Sequence, residues 1–258
     1  MNAIGLIAGR ELRALFLSPL AWVILAVASF LIGWLFLAQL DIYLQLQPRL
    51  AGMEGAPGVT DLVVAPAFGA AAVVLLLIAP LVTMRTLSEE RRSGTLVLLR
   101  SAPISSTQIV LGKYLGLLGF FSVLLALVAM LPLSLLFAGS LDMGKLAAGL
   151  MGLWLLSAMF VAAGLFVSSL TEHPGVAAIG GFGLLLLLWV IDLAATKGEG
   201  GVLAYLSMLT HVQNFLQGIL DSVDLIYFGL GILLFLGLAV HRLEAQRLGP
   251  MSWGREDA

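Results

Sequence analysis

The chain has 258 residues, of which 60% are hydrophobic and 11% charged, with a formal net charge of −2. Soluble domains carry roughly 25% charged residues, so this chain cannot cover a water-exposed surface and a bilayer is its expected solvent. It has no cysteine, which excludes disulfides and thiolate metal sites.

The first 18 residues form an amphipathic stretch. Ile4, Ile7, Leu12 and Leu15 share a face, with Arg10, Glu11 and Arg13 mostly opposite. Arg10 and Arg13 precede an apolar run, as in a signal peptide. That run, 20–40, is longer than an h-region, and Asp41, Tyr43 and Gln45 follow it in place of a cleavage site, so it is expected to be an uncleaved span. Ser18-Pro19 supplies a cap and a proline at the first helical position. Residues 41–61 are expected to form a loop broken by Pro48 and Pro57. A second span is expected at 62–84, with Pro66 and Pro80 near its ends. After a polar stretch come spans at 105–138, apolar from Tyr114 onward and kinked by Pro132, and at 146–170, 176–194 and 225–241. The tail, 241–258, is polar and expected to fray.

Between the last two spans lies 202–220. Leu206, Leu209, Val212, Leu216 and Ile219 recur at helical spacing, with Ser207, Thr210, Asn214 and Gln217 on the other face. The pattern predicts an interfacial helix or a re-entrant pair rather than a span.

Charge placement supports this count. With six spans, Arg10, Arg13, Arg85, Arg91, Arg92, Arg100, Lys113, Arg242, Arg247 and Arg255 fall on one side, and Arg49, Lys145 and Lys197 on the other. Ten against three obeys the positive-inside rule and puts both termini in the cytoplasm. A seventh span over 202–220 would reduce the ratio to seven against six. The expected outer side is also acidic, with Asp41, Glu54, Asp61, Asp142, Glu199, Asp221 and Asp224.

The polar chemistry concentrates in 85–113, RTLSEERRSGTLVLLRSAPISSTQIVLGK. Thr86-Leu87-Ser88-Glu89 and Ser105-Ser106-Thr107-Gln108 both fit capping boxes. Gly94 allows a helix stop, and Pro103 ends the leucine run after Thr95. A short amphipathic helix beneath the bilayer fits this pattern. A solvated loop whose arginines only enforce orientation fits it as well.

Other signals are weak or negative. No GxxxxGK[ST], HExxH or GxSxG occurs, so no P-loop and no catalytic residue is assigned. His173, His211 and His241 are far apart, and no metal site is expected. Asp192 lies at a span end and is expected to cap it at the interface. Gly5/Gly9 and Gly112/Gly116 have GxxxG spacing, and Gly180, Gly181 and Gly183 cluster, which predicts close helix packing. A secondary transporter would need ionisable residues in mid-span and internal repeats, and neither is found.

The stretch APLVTMRTLSEERRSGTLVLLRSAPISSTQIVLGKYLG resembles the loop between the second and third spans of type-2 ABC transporter permeases. Glu89 to Arg92, Gly94-Thr95-Leu96, Leu98-Leu99, Ser101-Ala102-Pro103-Ile104 and Gly112-Lys113 carry the likeness. Leu17-Ser18-Pro19, Gly164 to Thr171, Gly218 to Asp221 and Asp224 to Phe228 extend it towards the gliding-motility, GldF-like branch, with NosY-like permeases a near neighbour. The resemblance implies a single all-α membrane domain over 1–258. Residues 1–18 would be an elbow helix, the loop after the second span a cytoplasmic coupling helix, and the segment before the sixth span a re-entrant helix. The coupling role passes to Ser88, Glu89, Glu90, Arg91, Arg92, Gly94, Thr95 and Leu96.

The implied function is the permease subunit of an exporter in the bacterial inner membrane, embedded in lipid and paired with a second permease protomer, identical or not. ATP and magnesium would be held by a separate ATP-binding subunit, and no cofactor by this chain. No nucleic-acid partner is implied. Two alternatives stay open. One is the scaffold of a GldFG-like complex, working on extracytoplasmic proteins through a GldG-like single-span partner. The other is a permease for copper-enzyme maturation.

Overall fold

The computed structural model describes residues 3–50, 57–94, 104–137, 141–195 and 207–248. Among the described residues the α-helices are α1 (Ala3–Leu17), α2 (Pro19–Leu50), α3 (Ala65–Arg92), α4 (Ser106–Ser134), α5 (Met143–Leu170), α6 (Pro174–Ala195), α7 (Met208–Leu216) and α8 (Ser222–Leu248). A π-helical turn, Thr60–Val64, leads into α3, and a 3-10 turn, Leu135–Phe137, closes α4. All regular structure among these residues is helical, and five helices are long and apolar enough to cross a membrane: α2, α3 with its π turn, α4, α5 and α8. The segment expected at 176–194 falls on α6, an apolar helix of 22 residues that is not among these five.

Several helices outrun their expected ends. The expected loop 41–61 is helical as far as Leu50, with Pro48 inside the last turn of α2. There a proline forfeits little, because few later residues depend on that turn. Pro80 sits inside α3, not near an end, because α3 continues two turns past Met84. The tail expected to fray from 241 is helical to Leu248. Each overrun is a place where hydrophobicity stops and the backbone hydrogen-bond ladder does not. Other local signals hold. Ser18 Oγ accepts the Leu20 N–H at 3.3 Å. Ser105 and Gln108 form both arms of the capping box that opens α4.

α5 is the hub, packing against α3, α4, α6, α7 and α8. It is apolar on every side, as a helix surrounded by others must be. Its small residues let neighbours approach closely. A Cβ at Gly149 would lie 2.7 Å from the Phe68 ring, one at Gly152 2.5 Å from Phe215 Cβ, and one at Gly164 2.9 Å from Thr83 Cβ. α2 and α8 lie outermost and expose Trp22, Phe30, Trp34, Leu230, Leu233 and Leu234, a surface suited to hydrocarbon.

The end of the bundle where α3 and α5 begin is tied by polar contacts. Thr60 Oγ1 accepts the Asp142 N–H at 3.0 Å, and Lys145 Nζ meets Asp61 Oδ1 at 2.5 Å. α7 closes this end, capped by the Ser207 hydroxyl and stopped at Gly218, whose φ of +82° suits glycine. Its buried face is Met208, His211, Val212 and Phe215. Of the expected line Leu206, Leu209, Val212, Leu216 and Ile219, Val212 lies on this face, Leu209 and Leu216 lie at its edge and Ile219 is exposed, while Leu206 is outside the described residues. The face is rotated because His211 turns inward. It pairs with buried Asp224 of α8, stacks on Tyr227 at 4.2 Å, and shares Asp224 with Asn214 Nδ2 at 3.1 Å. A buried acid with a histidine and an amide around it counts as core, which apolar periodicity cannot reveal.

Candidate functional site

The candidate site is the end of α3, at the opposite end of that helix from Thr60 and Asp61. Thr86 to Glu89 do not open a new helix here. They continue α3, which runs unbroken to Arg92. The first capping box is therefore corrected: Ser88 is fully buried, and its hydroxyl donates back to the Met84 carbonyl. Serine and threonine readily bond to the preceding turn in this way. The helix stops one turn later. Ser93 N–H reaches Glu89 O at 2.9 Å, Gly94 N–H reaches Arg91 O at 3.2 Å, and Gly94 takes a φ of +72° that a residue with a Cβ resists.

Three contacts anchor this end to its neighbours. The Ser168 hydroxyl of α5 accepts the Leu87 and Ser88 N–H groups at 3.2 Å each and donates to Met84 O at 3.1 Å. Arg91 Nη1 donates to Ser169 O at 2.7 Å. That places a cation on the last carbonyls of α5, where unpaired C=O groups and the helix dipole favour it. Lys113 of α4, only 2% exposed, donates to Glu90 Oε1 at 2.8 Å and to Glu11 Oε2 of α1 at 3.1 Å. One ammonium thus joins α1, α3 and α4.

α1 reaches Lys113 because α4 is grooved for it. A Cβ at Gly112 would lie 2.6 Å from Ile7 Cβ, and one at Gly116 2.7 Å from Glu11 Cβ. The Gly112/Gly116 spacing therefore does seat a helix closely, and that helix is α1. Nothing lies within 4 Å of a Cβ built at Gly5 or Gly9, so that pair packs nothing among the described residues. Glu11 was expected opposite the apolar face. It lies on it, because Ile7, Glu11 and Leu15 follow at i, i+4 and i+8. That spacing was the signal available in the sequence. Nothing there marked Ser168 or Ser169 as partners of α3.

The sequence-predicted coupling residues therefore divide. Ser88, Glu90 and Arg91 turn inward and hold the end of α3. Glu89, Arg92 and Gly94 are exposed. Glu89 and Arg92 line an open depression with Pro174 and Gly175, at the turn between α5 and α6. Thr95 and Leu96 lie outside the described residues, as does the leucine run to Pro103. Among the described residues no three His, Asp or Glu side chains come together as a metal site.

A family model described as ABC-2 family transporter protein matches residues 6–226. The chain belongs to the ABC-2 transporter family. The match begins in α1 and ends in α8, so it takes in every helix that meets at Lys113. Comparison with curated proteins found no match. An ABC-2 permease is a multi-pass membrane subunit and not itself an enzyme, and membership implies an ATP-binding subunit as its partner. In this permease the stretch that resembles a coupling loop begins as the braced end of a long helix.

Proposed function

We propose that the chain is the membrane subunit of an exporter in a bacterial inner membrane. It would have six spans, α6 being the fifth, and both termini in the cytoplasm. ATP and magnesium are bound by a partner subunit, which docks on Ser88–Leu96. A second permease protomer completes the pathway. The ten-to-three distribution of Lys and Arg supports this orientation. One observation carries the coupling role: the end of α3 is stiff and braced, yet offers Glu89 and Arg92 outward beside Gly94.

A docked segment transmits force only if it does not yield. α3 has 28 residues, about 42 Å at 1.5 Å per residue, which exceeds the roughly 30 Å hydrocarbon core. A displacement applied at Glu89–Gly94 is therefore delivered to the opposite end of α3. The Lys113 and Arg91 contacts carry it sideways into α1, α4 and α5. Glu89 and Arg92 are the recognition charges, because their side chains make no bond that holds the fold among the described residues.

The test is the double reversal Glu89→Lys with Arg92→Glu. The permease is expected to insert and fold normally, while co-purification with its ATP-binding subunit, or the response of ATPase activity to the permease, is lost. Unchanged co-purification and unchanged coupled ATPase activity would overturn the coupling assignment.

A further inference from the structure

A cavity of about 290 Å³ opens between α1, the first turns of α2 and the last turns of α3. It has two kinds of wall. Leu15, Ala21, Ile24, Val82 and Phe120 form an apolar floor. Arg10, Arg85 and Glu89 stand around it with no side-chain hydrogen bond or ion pair among the described residues, and Glu11 and Glu90 complete the polar wall. The acids do not simply outnumber the bases. Glu11 and Glu90 share Lys113 from behind, so among the described contacts Arg10, Arg85 and Lys113 stand against Glu11, Glu89 and Glu90.

A simple anion would meet the arginines and be repelled by the carboxylates, and a simple cation the reverse. A head group carrying both signs satisfies both. The cavity lies where the amphipathic N-terminal helix meets the apolar spans, and a helix of that kind lying in the interface would set it at the depth of lipid head groups. Leu20 and Leu81, which also line it, are exposed, so a tail can leave the cavity along α2 and α3. The volume is at the low end for small-molecule sites, roughly 300 Å³. It suits a head group and not a whole diacyl lipid.

We propose that this cavity binds the head group of a zwitterionic aminophospholipid, with the phosphate on Arg10 and Arg85 and the primary ammonium on Glu89 and the Glu11–Glu90 pair. A primary ammonium has three N–H donors for these carboxylates. A quaternary choline has none, so ethanolamine is preferred over choline. The site belongs to the permease whatever its cargo; it shares Glu89 with the coupling assignment, while Arg10, Arg85 and Ile24, which the test alters, lie outside that assignment.

The experiment uses the full chain in detergent with phosphatidylethanolamine, phosphatidylcholine and phosphatidylglycerol of identical acyl chains, read by native mass spectrometry. Water-soluble phosphoethanolamine serves as a competitor. Wild type is expected to retain phosphatidylethanolamine above both other lipids. Arg10→Gln with Arg85→Gln is expected to lower that retention about tenfold. Ile24→Trp, which fills the floor while leaving every charge, should lower it as well. Equal retention of the three lipids by wild type would overturn the proposal without recourse to any variant. So would retention unchanged in both variants, or phosphoethanolamine binding as tightly as the lipid, which would identify a site for a soluble ligand.

Discussion

Lys113 is a buried ammonium that meets one carboxylate from each of two neighbouring helices. A buried ion pair is worth little against an apolar replacement of the whole group, but removing one partner strands the others. Lys113→Met removes the ammonium that the Glu11 and Glu90 carboxylates share, and should destabilise the protein by about 3–5 kcal/mol. The check is thermal unfolding in detergent, where the melting temperature should fall. Adding Glu11→Gln and Glu90→Gln to Lys113→Met removes the stranded charges and should restore most of the loss. A single variant that melts with wild type would show that the ammonium is not what joins the three helices. The same residue explains why Glu90 and Glu89, adjacent and identical in chemistry, have different roles. A rotation of 100° along the helix turns one towards Lys113 and the other towards the outside.

At the scale of elements, the seat of α1 on α4 rests on two glycines. Gly116→Val places methyl groups where Glu11 Cβ and the Ala8 carbonyl already stand, 2.7 and 2.9 Å from a bare Cβ. Relief requires α1 to move off its groove, at a cost of about 1–3 kcal/mol, and Glu11 moves away from Lys113 with it. Hydrogen–deuterium exchange should show α1 losing protection while α5 keeps it. Gly9→Val is the control, because a side chain there enters open space, and exchange in α1 should be unchanged. Identical exchange in the two variants would mean that α1 is held by something other than this groove. The element scale also explains the boundary differences. α2, α3 and α8 all run past their apolar stretches, since a helix ends where its ladder loses a donor or meets a residue such as Gly94, not where water begins.

For the whole molecule the decisive question is whether α6 crosses the membrane. The cysteine-free chain suits single-cysteine labelling. With six spans, an impermeant maleimide added to intact cells should label Glu54→Cys and Lys197→Cys, and should reach Ser93→Cys and Arg247→Cys only after permeabilisation. With α6 not crossing, α8 would run the other way and Arg247→Cys would be labelled from outside. Membrane character, the helical class, the α4 cap and the stop at Gly94 were all legible in the sequence. Each depends on composition or on residues within one turn of each other. The family likeness of 85–113 was legible too, and the match over residues 6–226 bears it out at the level of the ABC-2 family. Three things were not legible: the inward turn of Ser88, the pairing of Lys113 with Glu11 across 102 residues, and the burial of His211 against Asp224. Each is set by which helix lies against which, and an apolar stripe alone does not choose among partners when every neighbour, lipid included, is apolar. The sequence by itself determined that these helices form and where their charges concentrate. Only the tertiary structure decided which charges are spent holding α3 in place and which remain outside, because that choice depends on contacts between residues far apart in the chain.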